Sequence, residues 1–291
     1  MQLSRITLFL FILIVLTPSV IHAQLERKRV VENRKTELTF MAPRNINLYT
    51  VEHLSAGELH YSIMHTFGEV RSGARNLWGI DRGANVRFSF EYGITDKYSL
   101  VVGRSSMDKV IDAGSRISVL QQTINDSSPV SISIIPLIGI NSSDLSFLDQ
   151  DYRLTDRLHY SLSTPIARKF SDRLSLQVSP IFAHFNRVGA ELNLSDTETN
   201  NYFSTALSGR YKYSDRSAFS FQFIPAILAT ESLSNNIAIG IDIETGGHVF
   251  QMFFTTSRAL HEPYIIGSDN GNFFNREFRF GFNINRLFQL N

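Results

Sequence analysis

Two pairs of residues in this chain have the types and spacing to activate a nucleophile. His60 stands two residues before Ser62, and His159 two before Ser161. On an extended strand, residues i and i+2 share a face, so each imidazole is placed to draw a proton from its serine for acyl transfer. No third group is fixed in the sequence to orient either base. The chain also lacks a Gly-x-Ser-x-Gly elbow and a His-Glu-x-x-His zinc helix. Hard-metal chemistry is the other option. Asp144, Asp149, Asp151 and Asp156 fall in one stretch and Asp269 adjoins Asn270, yet neither group follows EF-hand spacing. The expectation is no enzyme, no catalytic residue, no cofactor and no metal, with a barrel hydrolase as the third-ranked function.

A broader set carries charge in a regular pattern. Arg87, Glu91, His159, Gln177, Arg210, Lys212, Asp242 and Arg279 each sit among alternating aromatic and aliphatic residues. If the apolar set meets lipid, these eight point into a lumen. Acids and bases are mixed there, and such groups in a narrow interior pair with one another. The set reads either as a pore lining and ligand cradle or as a structural ladder that fills the lumen.

The elements that must position these residues are strands. Phe219, Phe221 and Phe223 alternate with Ala218, Ser220 and Gln222; Ile237, Ile239, Ile241 and Ile243 alternate with Ala238, Gly240 and Asp242. The same period of two recurs in about twelve segments between Leu59 and Ile284, many near ten residues, the length a tilted strand needs to cross hydrocarbon. Tight turns such as Thr95-Asp96-Lys97, Ser171-Asp172-Arg173 and Ser214-Asp215-Arg216 close every second connection. Most others are long: Gly68–Gly83, Asn141–Asp156, Arg187–Asn201 and Ser257–Asn275. That asymmetry puts short turns on one face and long loops on the other, as in outer-membrane barrels. The connection after the third strand is a short exception.

Met1–Ala23 reads as a signal peptide: Arg5, then an eleven-residue apolar run from Ile6 to Leu16, then Ala23 as the cleavage residue. Removing Arg5 takes Lys+Arg from 28 to 27 against 27 Asp+Glu, a balance that argues against nucleic acid as a partner. Cysteine is absent, so no disulfide or thiolate site exists. Residues 24–53 read as a periplasmic N-terminal segment, with Arg27-Lys28-Arg29 and Arg34-Lys35 as a mobile arm, and residues 54–291 as the barrel. In the last long loop, Tyr264-Ile265-Ile266 and Phe273-Phe274 suggest a stretch that tucks into the barrel mouth.

Several stretches carry a resemblance as a set: Leu59–Gly68, Gly79–Arg87, Glu91–Lys97, Val102–Ser106, Gly247–Gln251 and Phe280–Phe288. From about Glu37 to the C-terminus the chain resembles a family of exported β-barrel proteins catalogued only as a domain of unknown function. That family usually has a base where Thr66 stands. The resemblance implies the fold and an envelope location, and no activity, ligand or partner.

The expected architecture is all-β: a closed, up-and-down, antiparallel transmembrane β-barrel of about twelve strands in an outer membrane. The leading function is passive or gated passage of a small solute. The alternative is a non-conducting structural or interaction barrel acting through its loops or N-terminal arm. Outer-membrane lipid and a small solute are the expected partners, and the sequence points to no particular envelope protein.

Overall fold

The computed structural model describes residues 34–146, 153–189, 192, 194, 199–226 and 234–290. The leader, the run Arg27-Lys28-Arg29, and Asp149 and Asp151 lie outside the described residues. A short hairpin, β1 (Arg44–Asn45) with β2 (Leu48–Tyr49), comes first. The wall follows: β3 (Glu58–Glu69), β4 (Asn85–Thr95), β5 (Tyr98–Ser105), β6 (Ile111–Leu120), β7 (Ser131–Ile140), β8 (Leu158–Ser163), β9 (Ile166–Lys169) and β10 (Leu174–Phe185). It is completed by β11 (Asn201–Ser214), β12 (Ser217–Ile224), β13 (Asn236–Thr245), β14 (His248–Thr255) and β15 (Arg279–Gln289).

Each wall strand pairs antiparallel with its neighbours, and β15 pairs back onto β3 from Arg279↔Glu69 to Gln289↔Glu58. The sheet is closed and no edge is left open. β8 and β9 both pair with β7 and β10, so they fill one of twelve positions. The expected sixth strand is broken there because Pro165 has no N–H to donate. Ser133 N–H donating to the Pro165 carbonyl at 3.1 Å, and Thr164 N–H to the Pro180 carbonyl at 2.9 Å, carry the wall across the gap.

The burial pattern decides which kind of barrel this is. Along β4, Arg87, Ser89 and Glu91 are buried, while Phe88, Phe90 and Tyr92 are 41%, 44% and 39% exposed. The polar face is inside and the apolar face outside, the reverse of a soluble sandwich or barrel. The same inversion runs through β12, where Phe219 and Phe223 are exposed and Ser220 and Gln222 buried.

Turn chemistry behaves as the residue types dictate. Ser171 Oγ accepts from the N–H of Leu174 at 3.1 Å, and Thr95 Oγ1 from that of Lys97 at 3.3 Å. Gly246 and Gly247, with φ of 54° and 87°, supply the two positive-φ residues of the β13–β14 turn. One connection departs from the expected short set. Residues 121–130, between β6 and β7, form a longer excursion, because the chain ahead of the hairpin adds a rung to it. Lys35 bridges Thr123, Thr36 N–H donates to the Gln122 carbonyl, and Ile124 N–H to that of Arg34.

Candidate functional site

All eight residues expected at the lumen alternate onto the inward face. Arg87, Glu91, His159, Gln177, Arg210 and Asp242 are buried. Lys212 and Arg279, near opposite ends of the wall, are intermediate. Few of the eight pair with each other. Arg87 and Glu91 take their partners from β6, where Asp112 receives both ends of the Arg87 guanidinium at 2.6 and 2.8 Å. Arg116 donates to Glu91 through Nε at 2.8 Å and Nη2 at 3.0 Å, and Ser99 Oγ adds a third bond to Glu91 at 2.6 Å. Arg87, Asp112 and Arg116 have no exposed side-chain surface. Bidentate geometry of this kind is what offsets the desolvation of a buried pair.

The wall does not fill its own bore. Its inward positions are rich in buried serine, including Ser62, Ser89, Ser133, Ser179, Ser208 and Ser220. These small polar side chains leave a wide, wettable interior, and a separate piece of chain occupies it. Residues 39–54 run inside the barrel, with Ile46, Asn47, Leu48 and Thr50 fully buried. Most of this stretch falls within the expected N-terminal segment, residues 24–53, and the first wall strand begins at Glu58. The stretch from about Thr39 is a lumenal plug, because its peptide groups meet inward amides of the wall.

The bonds of the plug reach most of the way around the barrel. Asn47 N–H donates to Gln222 Oε1 at 3.1 Å, and Val51 N–H to Gln177 Oε1 at 3.2 Å. Gln177 Nε2 returns a bond to the Tyr49 carbonyl at 2.8 Å, Asn283 Nδ2 one to the Ile46 carbonyl at 2.8 Å, and Gln251 Nε2 one to the Arg44 carbonyl at 3.2 Å. Arg116 donates to the Thr50 and Pro43 carbonyls. Apolar contacts complete the fit: Ile46 against Ala238 and Phe253, and Tyr49 against Val101, Ile135 and Leu137. Buried peptide groups need such partners. The Arg44 guanidinium lies 3.8 Å over the Tyr49 ring, and burial lowers its pKa.

A second element enters from the other mouth. The β14–β15 connection carries α1 (Glu262–Gly267), every residue of which is buried. Tyr264 and Ile265 pack with Leu48, Ile181, Phe185 and Tyr202. The two insertions meet where Tyr49 N–H donates to Glu262 Oε1 at 2.6 Å. Burial pushes the Glu262 carboxyl up and holds His261 well below its ordinary value. The expectation that Tyr264-Ile265-Ile266 tucks inward holds, but Phe274 is 90% exposed.

The nucleophile pairs do not assemble. His60 Nε2 lies 3.2 Å from Asn285 Oδ1 and no bond joins it to Ser62, while His159 packs among Phe185, His261 and Tyr264. Asp144 accepts from the N–H of Ser146, Asp156 from that of Arg153, and Asp269 from Ser234 Oγ, so these acids serve local turns and contacts.

An inverted, closed barrel with a polar bore entered by segments from both ends defines the class: a membrane β-barrel. The chain belongs to the family described as "Membrane bound beta barrel domain (DUF5777)", which matches residues 40–288 and so takes in the hairpin as well as the wall. Comparison with curated proteins found no match. Among solved structures, the chain is similar to the COG4313 outer membrane channel from Pseudomonas putida F1, with 11% identity, 82% of this chain and 98% of that one covered, and a TM-score of 0.47. It is also similar to the Pseudomonas putida toluene transporter TodX, with 8% identity, 86% and 91% covered, and a TM-score of 0.35. A third is the outer membrane channel DcaP of Acinetobacter baumannii, with 11% identity, 71% and 63% covered, and a TM-score of 0.30.

Proposed function

We propose that this protein is a gated pore for a small solute in an outer membrane, reached after removal of a leader near Ala23. The observation that carries the reading is the division of labour in the bore. Between its buried arginines and glutamines the wall presents many small serines, and the volume these leave is closed by segments tethered at the two mouths. A barrel that only had to be solid would fill its interior with its own wall side chains. The plug is also held largely by amide and guanidinium hydrogen bonds, which water can replace when the hairpin moves.

A second reading draws on the bonded, closed state of the same bore. With Arg87–Asp112 and Arg116–Glu91 paired and both insertions seated, the barrel would be a non-conducting scaffold acting through its loops. Planar-bilayer recording separates the two. The pore reading expects rare, brief steps from the intact chain and sustained ohmic conductance from a variant lacking residues 39–52. Silence from the deletion, with heat-modifiable migration showing it folded, would leave the scaffold reading.

A further inference from the structure

At the loop end of the barrel, β3, β4, β15 and the start of the last long connection frame a cavity of about 670 Å³. Four arginines line it, Arg71, Arg82, Arg258 and Arg279, against one acidic residue, Glu69. Glu69 takes Arg279 at 2.6 Å and also pairs with Arg71, which donates in turn to Glu277 at 2.6 Å. Even with Glu277 counted, four bases face two acids. Among the described residues, no carboxylate pairs with Arg82 or Arg258, and both are exposed. Asp81, beside Arg82 in sequence, does not line the cavity.

Both unpaired bases are held at the rim by their backbones. The loop bearing Arg82 is seated on the end of β3 through two glycines. A Cβ on Gly79 (φ +100°) would fall 2.2 Å from the Gly68 carbonyl oxygen, and one on Gly68 would fall 2.5 Å from Arg82 Cβ. On the other side, the Arg258 carbonyl accepts from Thr66 Oγ1 at 2.7 Å and from Asn85 Nδ2 at 3.0 Å. The main chain is fixed and the guanidinium groups remain available. Guanidinium forks match the oxygens of carboxylate and phosphate groups two at a time.

We propose that this vestibule binds soluble anions bearing carboxylate or phosphate groups and selects them for the bore. Selection rests on the pore reading; binding does not. A soluble ligand is favoured over a lipid headgroup because Thr66, Asn85 and Arg279, all inward residues, form part of the lining, so the cavity opens into the mouth.

Trp78, the only tryptophan in the chain, sits on the same loop and is 55% exposed, which makes it a reporter. The full chain in neutral micelles at low salt would be titrated with pyrophosphate and with citrate, with lactose as the uncharged control. The expected result is saturable change in Trp78 emission with both anions and none with lactose. Affinity should fall roughly tenfold or more in R82Q/R258Q, the loss of two charge-assisted contacts. It should be unchanged in R173Q, on a turn at the opposite end. No saturable response in the intact protein, or one that R82Q/R258Q leaves intact, overturns the proposal. So does a response that appears only when anionic lipid is added to the micelles. Saturable binding by a chain that never conducts in bilayers supports the site and removes only the passage reading.

Discussion

Glu91→Gln is the substitution that tests most sharply whether the hairpin is a gate. Glu91 and Arg116 both belong to the wall, so their pairing survives whether the hairpin is in or out. What changes is the surroundings: under the hairpin the Arg116 guanidinium has no exposed surface, and it donates to the Thr50 and Pro43 carbonyls. Glutamine keeps the shape and one acceptor but removes the counter-charge. Arg116 is then buried without compensation in the closed state, and solvated in the open one. Removing one partner of a buried pair costs about 3–5 kcal/mol. If glutamine's carbonyl and the two hairpin carbonyls recover about half, about 2 kcal/mol passes to the gating equilibrium, roughly 30-fold toward open. Single-channel open probability measures this directly, with heat-modifiable migration confirming the fold. A folded E91Q protein with unchanged or longer closed times would refute the reasoning.

Three further outcomes follow from the same geometry. Phe90→Arg, in the outward row of β4, should destabilise the barrel in bilayers by about 2–4 kcal/mol if that row meets the middle of the hydrocarbon, read as a shift in urea unfolding; no shift would contradict the assignment of the outer face. Gly79→Ala should displace the loop that carries Trp78 and Arg82, changing Trp78 emission while leaving the barrel's unfolding midpoint in place, because the added Cβ meets the Gly68 carbonyl. Docking of α1 should weaken between pH 7.5 and 5.5, seen as faster hydrogen exchange of residues 262–267 after correction for intrinsic rates. Burial keeps His261 neutral, 3.9 Å from Asp112 Oδ2 and near His159, Arg87 and Arg44, so its contribution is present above its ordinary 6.5 and lost as pH falls toward its lowered value. Glu262 acts in the opposite sense, since a carboxyl raised by burial stabilises docking below its ordinary 4.5 and loses that effect as pH rises through its raised value. His261→Phe should therefore remove the loosening on acidification; an unchanged slope would discard His261 as its source.

The wall was legible in the sequence because an apolar exterior and a polar interior impose a period of two that the eye can follow, as in Phe219, Phe221 and Phe223. The same alternation placed Gln177 and Arg210 inward. It failed on β6, where the outward residues Ala113 and Ser115 are too small to mark a lipid face, and so Asp112 and Arg116 went unread although they neutralise Arg87 and Glu91. The plug left no local signal at all. Arg44-Asn45-Ile46-Asn47 looks like a polar connection, and the groups that hold it, Gln177, Gln222, Gln251 and Asn283, lie more than a hundred residues away in sequence. A hairpin of this kind is specified by long-range partners, which a periodicity cannot show. The vestibule is half visible: Arg279 falls in the inward set, but Arg71, Arg82 and Arg258 are ordinary loop residues, and only the Gly68–Gly79 contact brings Arg82 to the mouth.

The bore is expected to conduct when the hairpin leaves it. Because the chain has no cysteine, the hairpin can be tied reversibly to the wall with N47C/Q222C, at the position where Asn47 N–H meets Gln222, joined by a short cleavable bis-thiol linker. Conductance steps in the uncoupled protein that vanish on linking and return on cleavage are the predicted result. Steps that persist with the hairpin fully linked, in protein shown to be folded, would contradict the account.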